Sequence, residues 1–178
     1  MLSVICAGFG GQGVLTAGLV LANVSMNGGR KVTWIPSYGS EMRGGTASCR
    51  LRIDDEHILN PFFDRADVLI AMNQDSFDTM QGLVVSNGVI VTNSTMVDAS
   101  GVGDDVRLAE APATSLAADI KNPRGANIAM LGAAIAATGL YGVEEFADGI
   151  DAYFEAKGRN NPLNRTCFLL GAEAVNGA

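Results

Sequence analysis

A doubly wound α/β domain with a mostly parallel sheet is the fold class this sequence predicts, and three observations predict it. Short apolar runs bounded by glycine or polar turns recur at residues 2–7, 31–35, 67–72 and 89–92, the pattern of strands buried on both faces. Segments of helical period alternate with them and then fill the last third of the chain. The first run stops at a glycine cluster that opens a helix, as strand–turn–helix units do. The 178 residues show no internal repeat and no linker, so residues 1–178 read as one domain with a core of its own.

The elements follow in order. Residues 2–7 are a buried strand, and 14–26 a helix apolar on nearly every side that stops at Asn27-Gly28-Gly29. Residues 31–35, closed by Pro36, are a second strand, so the first three elements read as a right-handed βαβ unit. A Gly-rich loop over 37–45 precedes a partly alternating strand over 46–53. That strand reads as one arm of an antiparallel hairpin whose other arm is the short stretch 57–59. Residues 67–72 are the next buried strand and 74–81 a short helix. Asn87-Gly88 supplies a turn before the strand at 89–92, and 106–111 makes the last strand. A helical cap follows: 114–120, the Ala/Ile-rich 127–138, the amphipathic 143–156 with Phe146, Ile150, Tyr153 and Phe154 inward, and 162–175 with Pro162 in its first turn.

Composition narrows function. A net charge of −7 with no Lys/Arg run disfavours nucleic acid as a partner. The three cysteines, Cys6, Cys49 and Cys167, are odd in number and lack metal-ligand spacing, so neither zinc nor an iron–sulfur cluster is expected on this chain. Free thiols fit a reducing cytosol. No basic segment precedes the first strand, as a signal peptide would require, and the most apolar stretch, 128–140, is too short to span a bilayer. A soluble cytoplasmic domain without membrane contact is expected.

Two glycine-rich segments carry the chemistry. Gly8-Phe-Gly10-Gly11-Gln12-Gly13 matches G-x-G-x-x-G between a strand and a helix, a Rossmann-like setting in which backbone N–H groups and the helix dipole favour an anion. The same glycines also fit a purely structural strand–helix corner. A dinucleotide site should show an acid at the end of the second strand, but Thr33-Trp34-Ile35-Pro36-Ser37 has none, which disfavours NAD and FAD. No Lys follows the glycines, so ATP chemistry is unsupported. The second segment runs from Pro36 through Ser37, Tyr38, Glu41, Arg43, Gly44 and Gly45 to Cys49, and lies where open α/β sheets bind ligands. Arg43 suits a bidentate carboxylate or phosphate, or equally an ion pair with Glu41 or another subunit.

GFGGQGVLTAG at 8–18, PSYGSEMRGGTASCRLRI at 36–53 and DVLIAMNQ at 67–74 together resemble the gamma subunit of 2-oxoacid:ferredoxin oxidoreductases, in the 2-oxoglutarate and branched-chain 2-oxoacid branch. Asn127-Ile-Ala-Met-Leu-Gly132, an Asn opening a helix, fits the same family. The resemblance implies a chain that is not catalytic alone, within a cytoplasmic hetero-oligomer of anaerobic metabolism. Such enzymes decarboxylate a 2-oxoacid, 2-oxoglutarate above all here, on thiamine diphosphate and release an acyl-CoA. Electrons pass through 4Fe-4S clusters to ferredoxin. Thiamine diphosphate, Mg and the clusters belong to alpha, beta and possibly delta sister subunits. It further implies that Gly10, Gly11, Gln12 and Gly13, after the turn glycine Gly8, meet a coenzyme A phosphate. Ser37, Tyr38, Glu41, Arg43, Gly44 and Gly45 would line the adjacent channel or a subunit interface. The beta subunit of indolepyruvate:ferredoxin oxidoreductase resembles the same domain and is the alternative, as is a structural subunit that binds nothing.

The remaining candidates read as structural: His57 as a loop or edge residue, Cys49 as a small buried residue, and 54–56 as a solvated acidic turn. Asn73 either caps the next helix or faces the ligand crevice.

Overall fold

The computed structural model describes residues 1–39 and 45–176, and in them the expected fold class holds. A six-stranded mixed sheet runs in the order β2-β3-β1-β4-β5-β6. Its strands are β1 (Leu2–Phe9), β2 (Lys31–Tyr38), β3 (Thr46–Asp54), β4 (Ala66–Ala71), β5 (Val84–Asn93) and β6 (Arg107–Ala111). The helices are α1 (Val14–Asn27), α2 (Gln74–Met80), α3 (Ala113–Asp119), α4 (Ala126–Thr138), α5 (Val143–Ala156) and α6 (Pro162–Asn176). β1, β4, β5 and β6 pair in parallel, and β3 alone runs opposite to the other five strands. None of these helices is long and apolar enough to cross a membrane.

The strands bury what the sequence offers. β4 is buried nearly throughout because both of its faces are covered, which is why it reads as an unbroken apolar run. One face packs Val4, Cys6, Leu51 and Ile70 against α1, α4, α5 and α6. The other packs Ile5, Leu69 and Ile90 against Phe77 of α2 and the returning loops at Phe63 and Val97. α4 is buried from Asn127 to Ile135, with the sheet on one side and α6 on the other. At that crossing a Cβ on Gly132 would fall into the Phe168 carbonyl oxygen, and one on Gly171 into that of Ala129. The two helices touch backbone to backbone.

Three topological expectations are corrected. β1 and β2 are not neighbours in a βαβ unit, because β3 lies between them and is antiparallel to both. The hairpin partner of β3 is accordingly β2; residues 57–59 form no strand, and the segment up to Phe63 is held by Arg50 and Arg52 donating to the Phe63 and Phe62 carbonyls. Nor does Pro36 close the second strand. Gly39 N donates to Thr46 O at 2.7 Å, and in this register Ser37 and Ile35 continue the bonded pairs. Pro36 then points its missing N–H toward the open edge, where no ladder bond is lost.

Asn87-Gly88 likewise lies inside β5 rather than before it. The pairing jumps from Ala66↔Val84 to Val68↔Val89, leaving 85–88 as an outward bulge with Asn87 at φ 65. A Cβ on Gly88 would stand 2.5 Å from Val84 Cγ1 and 2.9 Å from Asp67 O, so the bulge needs glycine there.

Candidate anion-binding cleft

Beyond the carboxyl ends of β1 and β4, where a parallel sheet offers its crevice, lies a cleft of about 700 Å³. Gly11, Gln12, Gly13 and Thr16 form one wall, Asn122 to Ile128 the floor, and Phe154, Arg159, Asn161 and Asn164 the far wall, with Met72, Met96 and Thr114 at the side. The N-termini of three long helices meet here: α1 at Gly13–Thr16, α4 at Ala126–Asn127 and α6 at Asn161–Asn164. None of the three has an acid in its first turn, and among the described residues no Asp or Glu lines the cleft of a chain whose net charge is −7. α1 and α4 have no side-chain cap, while at α6 Asn161 Oδ1 accepts from Leu163 N at 3.1 Å; uncapped first-turn N–H groups and aligned dipoles make such a place favourable for an anion.

The first glycine segment builds the near wall, and its members divide into distinct roles. Gly8 is buried; a Cβ there would stand 2.7 Å from Gln12 Oε1 and 2.8 Å from Val14 Cγ2, so its task is packing. Gly10 N donates to Gly45 O at 2.9 Å, tying the turn to the root of the second loop. Gly11, at φ +99, faces open space. The Gln12 side chain is engaged internally, accepting from Phe9 N at 2.7 Å and donating to Met72 O at 3.3 Å. Gly13, at φ +77, is the N-cap of α1 without any side-chain cap, and a Cβ on it would meet Asn127 Nδ2 at 2.6 Å. The main chain at Gly11 and Gly13 therefore faces the cleft, whereas Gly8 and Gly10 hold that main chain in place.

The second glycine segment is only partly united with the first. Gly45 meets Gly10, as described. Ser37 and Tyr38 are exposed at the end of β2, two strands or about 10 Å from β1, and neither lines the cleft. Glu41, Arg43 and Gly44 lie outside the described residues.

Apart from Asn127, noted in the sequence as opening a helix, the floor and far wall are what sequence reasoning missed. Asn127 is 4% exposed; its Nδ2 donates to Gly13 O at 3.0 Å, and its Oδ1 is buried with no partner. Asn122, Asn161 and Asn164 hold one another: Asn122 Nδ2 donates to Asn164 Oδ1 at 3.2 Å, and Asn161 Nδ2 to Asn122 Oδ1 at 3.4 Å. A signal for them was present. Asn122-Pro-Arg-Gly-Ala-Asn127 and Arg159-Asn-Asn-Pro162 each put Arg and Asn at a helix start, where acids are the usual residues. Asn127→Ala is expected to remove one buried hydrogen bond, lowering stability by about 1 kcal/mol and the melting temperature by about 2–4 °C. Thermal denaturation checks this, and an unchanged melt would mean the Gly13 contact contributes nothing.

The remaining candidates are structural. Asn73 caps α2, its Oδ1 accepting from Ser76 N at 2.9 Å. His57 is exposed, and Asp54 pairs with the N-terminal amine at 3.2 Å. Among the described residues no three His, Cys, Asp or Glu stand together to hold a metal. Cys6 and Cys49 face each other across β1 and β3, buried to 1% and 0% exposure, and Cys167 lies apart on α6 at 0%. The thiol contact with Cys49, with burial added, pushes the Cys6 thiol well up, and the same contact draws Cys49 down. Access decides reactivity here. All three thiols are expected to resist alkylation at pH 8 until the protein unfolds, read by mass spectrometry; rapid labelling of Cys49 in the native state would contradict this burial.

The family model described as pyruvate ferredoxin/flavodoxin oxidoreductase matches residues 3–174. The ketoisovalerate oxidoreductase subunit VorA of Methanothermobacter thermautotrophicus is 41% identical over 94% of this chain, but the chain spans only about a third of the length (35%) of that relative. The 2-oxoglutarate synthase subunit KorC of Methanocaldococcus jannaschii is 31% identical over 81% of this chain and 79% of its own. Among solved structures, a keto/oxoacid ferredoxin oxidoreductase gamma subunit from Geobacter sulfurreducens superposes with a TM-score of 0.82 at 25% identity over the full length of both chains. The 2-oxoglutarate:ferredoxin oxidoreductase of Magnetococcus marinus, solved with 2-oxoglutarate, coenzyme A and succinyl-CoA bound, shares the fold at a TM-score of 0.85 and 20% identity, over 99% of this chain and 31% of that one.

Proposed function

Since the chain belongs to the pyruvate ferredoxin/flavodoxin oxidoreductase family, we propose that it serves as the gamma subunit of a 2-oxoacid:ferredoxin oxidoreductase, and that its cleft receives coenzyme A. The observation that carries the coenzyme reading is the meeting of three helix N-termini in a cleft that no carboxylate lines among the described residues. Coenzyme A is a polyanion and matches that field, and the uncapped N terminus of α1 at Gly11–Gly13 suits its diphosphate.

What this chain contributes is binding and placement. Gly11 and Gly13 hold main-chain N–H groups toward the diphosphate, and Gly8, Gly10 and Gln12 fix the turn that presents them. Coenzyme A, once bound, supplies the thiol that accepts the acyl group. The three buried cysteines, two on strands and one on α6, do not fit a cluster site. From the family resemblance, thiamine diphosphate, Mg and 4Fe-4S clusters are assigned to alpha, beta and, where present, delta partner chains, with ferredoxin as the acceptor of the complex. The substrate is a 2-oxoacid. The loop sequence at 36–49 favours this branch over the indolepyruvate enzyme, and within the branch we propose 2-oxoglutarate, the acid named for KorC, while the more similar VorA is named for ketoisovalerate.

The test is an anaerobic pull-down of the tagged chain from its native cells, assayed for coenzyme A-dependent viologen reduction with several 2-oxoacids. Co-eluting chains with brown cluster absorbance and activity are expected, and the preferred acid fixes the substrate. A lone colourless chain without activity would overturn the subunit reading.

A further inference from the structure

Arginines in this protein are nearly all engaged by the chain itself. Of the eight among the described residues, Arg30 pairs with Asp55, and Arg165 with Glu144, Asp148 and Asp151. Arg50, Arg52, Arg65 and Arg107 donate to the main-chain carbonyls of Phe63, Phe62, Val84 and Ala137. Among the described residues only Arg124 and Arg159 have neither an ion pair nor a side-chain hydrogen bond, and both line the same cleft. They come from separate elements. Arg124 sits on the 3-10 turn over Pro123–Gly125 that leads into α4. Arg159 follows the C terminus of α5, where Gly158 at φ +63 lets Gly158 N bond Glu155 O and Arg159 N bond Phe154 O, at 2.8 and 2.9 Å. That Schellman arrangement fixes the Arg159 backbone next to Phe154, another lining residue.

The cleft thus has two anion seats of different chemistry. The seat at Gly11–Gly13 offers main-chain N–H groups and a helix dipole, which suits the singly charged phosphorus centres of a diphosphate. Arg124 and Arg159, both exposed, line the cleft together with Phe154 and bring to it two guanidinium forks and an aromatic ring. A phosphomonoester, carrying close to two negative charges at pH 7, is the group that takes most from paired forks, and a purine next to it gains a ring to lie against.

We propose that Arg124, Arg159 and Phe154 seat the adenosine 3′-phosphate end of the coenzyme, and that this seat is how the protein distinguishes coenzyme A from 3′-dephospho-coenzyme A. The inference rests on the coenzyme reading above and adds to it a second seat, a ligand group and the residues that select it. It needs nothing from the partner chains, because both arginines and the ring belong to this one.

Calorimetric titration of the intact complex with coenzyme A and with 3′-dephospho-coenzyme A tests it. The unmodified protein is expected to bind coenzyme A at least tenfold more tightly than the dephospho form. Arg159→Ala and Arg124→Ala should each bring that ratio toward one while dephospho-coenzyme A binds within about twofold of its original affinity. Arg159→Lys, which keeps the charge but not the fork, should restore part of the ratio. Adenosine 3′,5′-bisphosphate should compete with coenzyme A in the unmodified protein and fail to do so in Arg159→Ala. Equal affinity for the two coenzymes in the unmodified protein would overturn the second seat and leave the coenzyme reading standing. So would an equal loss of both in the arginine variants. Binding of neither would overturn the coenzyme reading and this seat together.

Discussion

Gly11→Asp should abolish most of the protein's affinity for coenzyme A while leaving the chain folded. Gly11 lies at φ +99 with nothing within 4 Å of where a Cβ would stand, so a side chain there meets no neighbour. Its backbone conformation is strained for any L residue, by about 1–3 kcal/mol. On the proposed function the added carboxylate would face the seat of the diphosphate. Two unit charges about 8 Å apart at an effective dielectric of about 20 repel by about 2 kcal/mol, or roughly 30-fold in affinity. Gly11→Ala separates the two effects, since it carries the strain and not the charge. Titration of both variants decides: near-native affinity in Gly11→Ala with a loss of about 30-fold in Gly11→Asp is the expected pair of results. Unchanged affinity in Gly11→Asp would show that no anion sits at this turn.

The largest effect on stability is expected far from the ligand, at the crossing of α4 and α6. A single methyl on Gly132 must occupy the space of the Phe168 carbonyl oxygen, with Ala172 N within 2.9 Å. A flexible side chain could swing aside, but backbone inside two packed helices cannot. Gly132→Ala should therefore force the helices apart, lowering stability by about 3 kcal/mol and the melting temperature by about 6–12 °C. Gly139, whose positive φ ends α4 with nothing within 4 Å, is the contrasting site, where only local strain is expected. A Gly132→Ala melt within 2 °C of the original would mean the interface has more slack than this geometry allows.

The parts of the fold legible in the sequence are those that depend on neighbours along the chain. The amphipathic period over 143–156 gave α5 at its observed bounds, with Phe146, Ile150 and Tyr153 buried, and the apolar run at 67–72 gave β4 nearly so. What could not be read was pairing. Nothing local in β3 says whether its partner is the segment before it or after it, and the insertion of β3 between β1 and β2 follows from the whole sheet. Pro36 was misread for a related reason: it is a strand breaker only where its N–H would face a partner, and which way it faces is set by register with β3. The same division holds at the cleft. The glycine turn carries its signature within six residues, so its place was found, whereas Arg124 and Arg159 meet it only through the packing of α4 and α5 on α1. Tyr38 and Ser37 seemed near the turn because they share a segment with Gly45, which meets Gly10; the strand end that bears them lies two strands out.

The place of β1 in the sheet also bears on the order of assembly. β1 is emitted first, yet its two hydrogen-bonded neighbours, β3 and β4, begin only at Thr46 and Ala66, so its edges stay open until distant chain returns to them. β2 and β3, joined by a short connection, can zip together locally, but their hairpin must then dock onto β1 across the intervening helix. The contact from Gly10 to Gly45 ends that docking seam. Main-chain geometry at the phosphate turn is therefore expected to be among the last features to form. On the proposed function, a nascent or partly folded chain would then have no hold on the coenzyme, and bound ligand would act as a check that the sheet is complete.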